Sequence, residues 1–193
     1  MARGKKFISI VFKNMPKDSL VDMMVDFLKG LLGNHISYEY EEGFLTVVFD
    51  SDSKVDFEEI INGLNNDFYI TTALFESGIL YEEIDVKEYI FHIKSQSKKI
   101  LESNLIYVDE KALVKLNMEA EVVWKNIFKS FYNDSDMLEV VKKYLDCNMN
   151  ISQAANMLYM HRNTVMNKID KFIAITGYDI KKFSNAFIIY KYL

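Results

Sequence analysis

NISQAANMLYMHRNTVMNKIDKF, residues 150 to 172, carries the sharpest structural signal in the chain. Asn150, with Gln153 three residues later, is a capping-box variant that opens a helix, and Ala154, Ala155 and Leu158 form its inward side. Tyr159, Met160 and His161 make a short turn, with Met160 directed at the core between two helices. The second helix starts at Arg162, places Val165, Ile169 and Phe172 at i, i+4 and i+7, and stops at Thr176 and Gly177. Helices that cross steeply over so short a turn approach closely at one point, and the small Ala155 leaves room for that approach. A small residue, a short turn and an apolar residue, Val165, ten positions after Ala155 make helix-turn-helix spacing. The usual pattern has Gly where Tyr159 stands, so either Tyr159 takes a positive φ or the turn differs.

The charge distribution fits a polyanion partner at this end. The 193 residues carry a net charge of −5, but from Asn148 onward Arg162, Lys168, Lys171, Lys181, Lys182 and Lys191 face only Asp170 and Asp179, a local +4. Residues 1 to 108 hold 11 basic and 18 acidic side chains, a net −7. An acidic protein with a basic end meets a polyanion at that end.

The stretch YLDCNMNISQAANMLYMHRNTVMNKIDKFIAITGYDI resembles the C-terminal helix-turn-helix of the PucR family of bacterial regulators. The likeness lies in an Asn-x-Asn-hydrophobic-Ser lead-in (Asn148, Asn150, Ile151, Ser152), a His-Arg-Asn-Thr turn (His161, Arg162, Asn163, Thr164) and a Thr-Gly exit (Ile175, Thr176, Gly177, Tyr178, Asp179). Members usually carry more Arg along the recognition helix than this chain, which has Met166, Asn167 and Lys168. The resemblance implies a transcription factor binding double-stranded DNA, commonly the activator of a catabolic operon. Many members carry a further sensor domain, so a chain beginning at the first strand reads as a shortened member or a piece of one.

Groove chemistry gives these residues roles. The first turn of a recognition helix enters the major groove, so Arg162, Asn163, Met166 and Asn167 are expected at base edges. Arg pairs bidentately with guanine and Asn with adenine, each worth about 1 to 3 kcal/mol of discrimination. Thr164, Lys168 and Lys171 suit phosphates, as do Asn150, Ser152 and Gln153 at the start of the preceding helix. His161 is expected to cap the second helix or touch a phosphate. One small helix-turn-helix reads few base pairs, so a homodimer on two half-sites about one helical turn apart is expected.

The first half alternates strand and helix patterns. FISIVF (7 to 12) reads as a strand, and Pro16, Asp18 and Ser19 precede a helix with Leu20, Met24, Phe27 and Leu31 at helical spacing, stopped by Gly33. ISYEY and FLTVVF form a hairpin around Glu41, Glu42 and Gly43, Phe57, Ile60, Ile61 and Leu64 mark a second helix, and FYITTALFESGI a fourth strand. YEEIDVKEYIFHIKSQSKKIL is a third helix, with Ile84, Tyr89, Ile93 and Ile100 apolar. This order belongs to the ferredoxin-like sandwich. It also resembles the GGDEF-like domain of PucR and CdaR regulators, a degenerate cousin of diguanylate cyclases. Where a cyclase carries its Gly-Gly-Asp/Glu-Glu-Phe signature, this chain has Glu41, Glu42, Gly43, Phe44 and Leu45, and its first strand ends without a metal-binding carboxylate. Nucleotide cyclisation is therefore not expected.

From Asp109 the chain turns helical, with Val123, Ile127 and Phe131, then Met137, Val141, Tyr144 and Leu145, on apolar faces. The expected fold class is α+β, with a GGDEF-like domain for regulation or dimerisation over 1–108 and a helix-turn-helix domain over 109–193, joined near Asn104 to Asp109. At roughly 100 to 200 residues per domain, the length allows one large domain or two small ones. Half the residues are hydrophobic, 14% aromatic and 26% charged, with seven Gly and one Pro, which excludes disordered and collagen-like classes.

The remaining features read as structural. Cys147 has no disulfide partner in the chain and packs near a helix end, so a reducing cytoplasm is expected. The run Phe7 to Phe12 is far too short for a membrane span. His35 and His92 lack spaced co-ligands, and no cofactor is expected. The carboxylate pairs Glu41 and Glu42, Glu58 and Glu59, and Glu82 and Glu83 read as solvated, and Asp50 to Ser53 as a loop lacking the Gly and distal Glu of a calcium loop. Two rivals stand beside the regulator: a nucleotide-binding or cyclase-like enzyme whose helical domain mediates protein contacts, and an interaction module without DNA contact. The first requires a glycine-rich or paired-carboxylate site in residues 1 to 108. A small-molecule effector is compatible with the regulator.

Overall fold

β1 (Lys5–Phe12) is buried on both faces from Phe7 onward, which is why it reads as a continuous apolar run rather than an alternating one. Ile8, Ile10 and Phe12 face one side of the sheet; Phe7, Ser9 and Val11 face the other. The computed structural model describes residues 4–33, 35–52, 54–80 and 86–193. Two compact units emerge, Met1–Asn126 and Ile127–Leu193.

In the first unit β1 is followed by α1 (Asp18–Leu32), the hairpin β2 (Ser37–Glu41) and β3 (Phe44–Asp50), α2 (Phe57–Phe68), β4 (Thr72–Glu76) and α3 (Val86–Glu102). A short β5 (Tyr107–Val108) completes a five-stranded sheet of order β2-β3-β1-β4-β5. β1 pairs antiparallel with β3 (Ile10 opposite Leu45) and with β4 (Ile10 opposite Leu74). β5 joins β4 in parallel. The first four strands thus take the ferredoxin-like arrangement expected from the element order. Glu42 (φ 51°) and Gly43 (φ 76°) both lie in the left-handed region, as a two-residue hairpin turn matched to strand twist requires.

Helices α1 and α2 cover one face. Val21, Met24, Val25 and Leu28 of α1, with Phe57, Ile61 and Leu64 of α2, bury against Ile8, Ile10, Leu45, Val47, Phe49 and Leu74. Each such side chain contributes about 1.5 to 3 kcal/mol on leaving water. The inward face of α1 is one position out of phase with the expected one: Phe27 and Leu31 remain 46% and 41% exposed while Val21, Val25 and Leu28 are buried. Strand β4 also begins later than expected, because α2 runs to Phe68 and ends on Tyr69 in the left-handed region. α3 covers the opposite face, where Tyr89 meets Phe7 edge-on at 5.2 Å and Phe75 at 5.9 Å. Residues 81 to 85, with Ile84 and the Glu82 and Glu83 pair, lie outside the described residues, as does Ser53 of the acidic loop. Asp50 of that loop is ion-paired with Lys5 at 2.8 Å.

The first unit extends past the expected junction at 108, and a buried carboxyl shows why. After β5, α4 (Glu110–Lys115) is capped by Asp109, whose side chain accepts the Ala112 N–H at 2.8 Å. Glu110 is 8% exposed and accepts from the Gly78 N–H at 3.1 Å, from the Tyr89 hydroxyl at 2.9 Å and from the Asn126 amide. These partners come from the segment after β4, from α3 and from α5 (Glu121–Phe128), so residues 109 to 126 are tied into the first unit. Burial pushes the Glu110 carboxyl above the usual range, opposed by its three hydrogen bonds. A Cβ on Gly78 would lie 2.9 Å from a Glu110 oxygen, so the cradle needs glycine there.

The second unit continues through a single 3₁₀ turn (Lys129–Phe131) to α6 (Ser135–Asp146), α7 (Ile151–Met157), α8 (Arg162–Thr176) and α9 (Phe183–Tyr192). Phe172 stacks on Phe131 at 5.7 Å and meets Phe128 at 6.0 Å. Val141, Val165, Ile169, Ile180, Ile188 and Ile189 are fully buried with it. Among the described residues no helix is long and apolar enough to cross a membrane.

Candidate nucleic-acid interface

α6, α7 and α8 form the helix-turn-helix, and each junction has a local chemical cause. α6 starts at Asp134, whose side chain accepts the Met137 N–H at 2.9 Å. Its exit needs two successive left-handed residues, Asn148 (φ 52°) and Met149 (φ 63°). Asn tolerates that region better than most side chains, which accounts for the first Asn of the lead-in. The second, Asn150, caps α7 by accepting the Gln153 N–H at 3.1 Å. Cys147 is buried with its sulfur 3.4 Å from that of Met157, a packing contact between the end of α6 and the end of α7.

Ala154 and Ala155 of α7 are buried, while Leu158 is only half-buried. The Met160 N–H returns to the Ala155 carbonyl at 2.9 Å and closes the turn. Tyr159 takes φ 52° and is 98% exposed, so the turn keeps its usual backbone with a tyrosine in the glycine position. His161 caps α8, its Nδ1 accepting the Asn163 N–H at 3.3 Å. α8 then buries Val165, Ile169, Phe172 and Thr176, and Gly177 (φ 78°) ends it in the left-handed cap.

At 100° per residue, the direction opposite this buried stripe is occupied by Asn163, Asn167 and Asp170, with Met166 beside them. Arg162, Asn163, Thr164, Met166, Asn167 and Lys171 are all exposed, and Lys168 is half-buried toward the core side. Asn150, Ser152 and Gln153 are exposed on the first turn of α7. Of the expected residues, all but the half-buried Lys168 are thus solvent-exposed within the second unit. Asn150 commits its side-chain oxygen to its own helix, and His161 its Nδ1, so both shape the surface through capping.

Two features of this surface escape the spacing argument. Asp170 sits on the outward line of α8, and Lys181 from the loop before α9 holds it at 2.7 Å. This hydrogen bond raises the Lys181 ammonium above its ordinary range. Lys171 lies 5.9 Å from the centre of the Phe131 ring, a cation–π contact that draws it along the helix flank. Both depend on approach between segments distant in sequence; the run of C-terminal lysines was the only signal available. Lys129 donates to the Ile175 carbonyl at 2.9 Å, and Lys182 pairs with Asp179 at 3.8 Å. Among the described residues no group of three or more His, Cys, Asp or Glu is placed to hold a metal.

Residues 137–192 match the family model of the PucR C-terminal helix-turn-helix domain. The chain is 27% identical over 154 residues to the uncharacterized protein YxkF of Bacillus subtilis (strain 168), a match covering 71% of this chain and 49% of that protein. It thus spans about half the length of that curated relative. Its fold is similar to that of the regulator of polyketide synthase expression from Bifidobacterium adolescentis, with a TM-score of 0.50 and 14% identity over 98% of this chain and 78% of that one.

Proposed function

We propose that this chain is a sequence-specific DNA-binding regulator of transcription that acts through α7 and α8. The observation carrying the reading is the capped α8 following α7 over a turn closed on the buried Ala155, its first two turns presenting Arg162, Asn163, Met166 and Asn167 to solvent, in a segment that matches the PucR helix-turn-helix. Among the described residues Arg162 and Lys168 make no ion pair, and an exposed Arg beside amide side chains suits a groove floor flanked by phosphates. The backbone N–H groups opening α7 supply a further phosphate contact.

In this reading the chain works as a homodimer on two half-sites, because one such unit contacts too few base pairs for useful affinity. The first unit, a noncatalytic GGDEF-like domain, supplies dimerisation or senses a small-molecule effector. The protein is cytoplasmic, is not an enzyme, and activates a catabolic operon, as the family resemblance suggests.

The test is retardation of random-sequence duplex DNA by the purified chain at two salt concentrations. Binding that falls steeply with salt is expected, and an Arg162→Ala, Lys168→Ala double variant should lose it with little change in thermal stability. Undiminished binding by that variant would sink the assignment.

A further inference from the structure

We infer that α8 reads a half-site with an A·T core, Asn163 and Asn167 pairing with adenines and Met166 packing on a thymine methyl. The inference rests on the DNA-binding reading and adds the chemistry of the bases. Each base pair shows a distinct pattern on the major-groove floor: guanine offers two acceptors suited to Arg or Lys, adenine an acceptor and a donor suited to an amide, and thymine the apolar methyl. Which pattern α8 fits depends on the side chains at the centre of its outward face.

That centre holds no available cation. Opposite the fully buried Val165, Ile169 and Phe172 stand Asn163 and Asn167, four residues apart on one line, with the 37% exposed Met166 beside them. Lys168 is half-buried on the core side, and Lys171 is drawn to the Phe131 ring. Asp170, the next outward position, would suit the cytosine amino group, but its carboxylate is bound by Lys181 at 2.7 Å. Two amides able to donate and accept together remain, with one thioether whose apolar surface has no counterpart on a G·C pair. Arg162, in the first turn and away from the outward line, leaves room for one guanine at the half-site edge. An exposed methionine between two asparagines is a poor phosphate surface, so the fit is to base edges.

The experiment selects binding duplexes from a random pool with the full 193-residue chain, then titrates the enriched duplex with single thymines replaced by deoxyuridine, which removes only the methyl. An A·T core is expected. At one position the replacement should weaken the chain about three- to fourfold, the effect of one buried methyl, and leave Met166→Ala unaffected. Asn167→Ala should lose about tenfold of its preference for adenine at one position. An enriched half-site with G·C at its centre, or equal deoxyuridine losses for chain and Met166→Ala variant, overturns the inference while DNA binding stands. Absence of any retarded duplex at low salt overturns the DNA-binding reading and this inference together.

Discussion

Lys181 Nζ lies 2.7 Å from Asp170 Oδ1 and so neutralises the carboxylate on the outward face of α8. Both side chains are about half exposed, so the pair adds little to stability, less than about 1 kcal/mol. Its effect falls on DNA approach. Lys181→Ala should leave Asp170 facing the phosphates and weaken duplex binding about threefold to tenfold, with no loss of melting temperature. Asp170→Asn should tighten binding, and the double variant should recover most of what Lys181→Ala loses. Fluorescence anisotropy on one duplex, in a double-mutant cycle, checks this; purely additive effects would mean the pair does not act as a unit.

Ala155 is the second position at which the second unit is sensitive. It is 3% exposed on the short α7, and Leu there adds three carbons to a filled space. Ala155→Leu should destabilise Ile127–Leu193 by about 1 to 3 kcal/mol and abolish DNA binding. Circular dichroism melts should show this loss beside a first unit of unchanged midpoint; a variant that binds normally would mean that the helices can separate without consequence.

Those two residues also mark what a sequence discloses. The helix-turn-helix was legible because its causes are local: Asn150 and His161 cap their helices within three residues, and Ala155 and Val165 are ten positions apart. The hairpin was legible for the same reason, through Gly43. The inward face of α1 was not, because Leu20, Phe27 and Leu31 form an apolar stripe overlapping that of Val21, Val25 and Leu28, and only the angle at which α1 lies on the sheet decides between them. β5 spans two residues and carries no periodicity, so the segment from Asn104 to Asp109 read as the domain boundary. Glu110 was hidden because its partners Gly78, Tyr89 and Asn126 come from three separate segments.

Glu110 supplies a pH dependence with a definite sign. Its carboxyl is held above its unfolded value, mainly by burial, so folding favours the protonated form. The associated stability is fully present below the unfolded value, about 4.3, and is lost as pH rises through the folded one. Glu110→Gln keeps an acceptor for Gly78 and Tyr89 without the ionisation, so its first unit should gain stability relative to the parent as pH increases from 4 to 8. Glu110→Ala strands three donors and should cost about 2 to 4 kcal/mol at about pH 4, a difference that narrows as pH rises and the parent loses the Glu110 contribution. Thermal melts across that range check both; parallel curves for the parent and Glu110→Gln would show that the carboxyl does not ionise within it.

Tyr159 holds φ 52° with its ring 98% exposed, so its Cβ is strained while its side chain is barely buried. A non-glycine residue in the left-handed region costs about 1 to 2 kcal/mol. Glycine removes that cost but returns about 0.5 to 1 kcal/mol through the greater freedom of the unfolded chain. Tyr159→Gly should therefore stabilise the second unit by up to about 1 kcal/mol, a rise of a few degrees in its melting temperature. Tyr159→Val adds a β-branch at the same φ and should melt lower than the parent. Duplex affinity separates strain from function: if the ring only tolerates its position, Tyr159→Gly binds as the parent does. A more stable Tyr159→Gly that binds several-fold more weakly would place the exposed ring on the DNA backbone, the strain being retained for that contact.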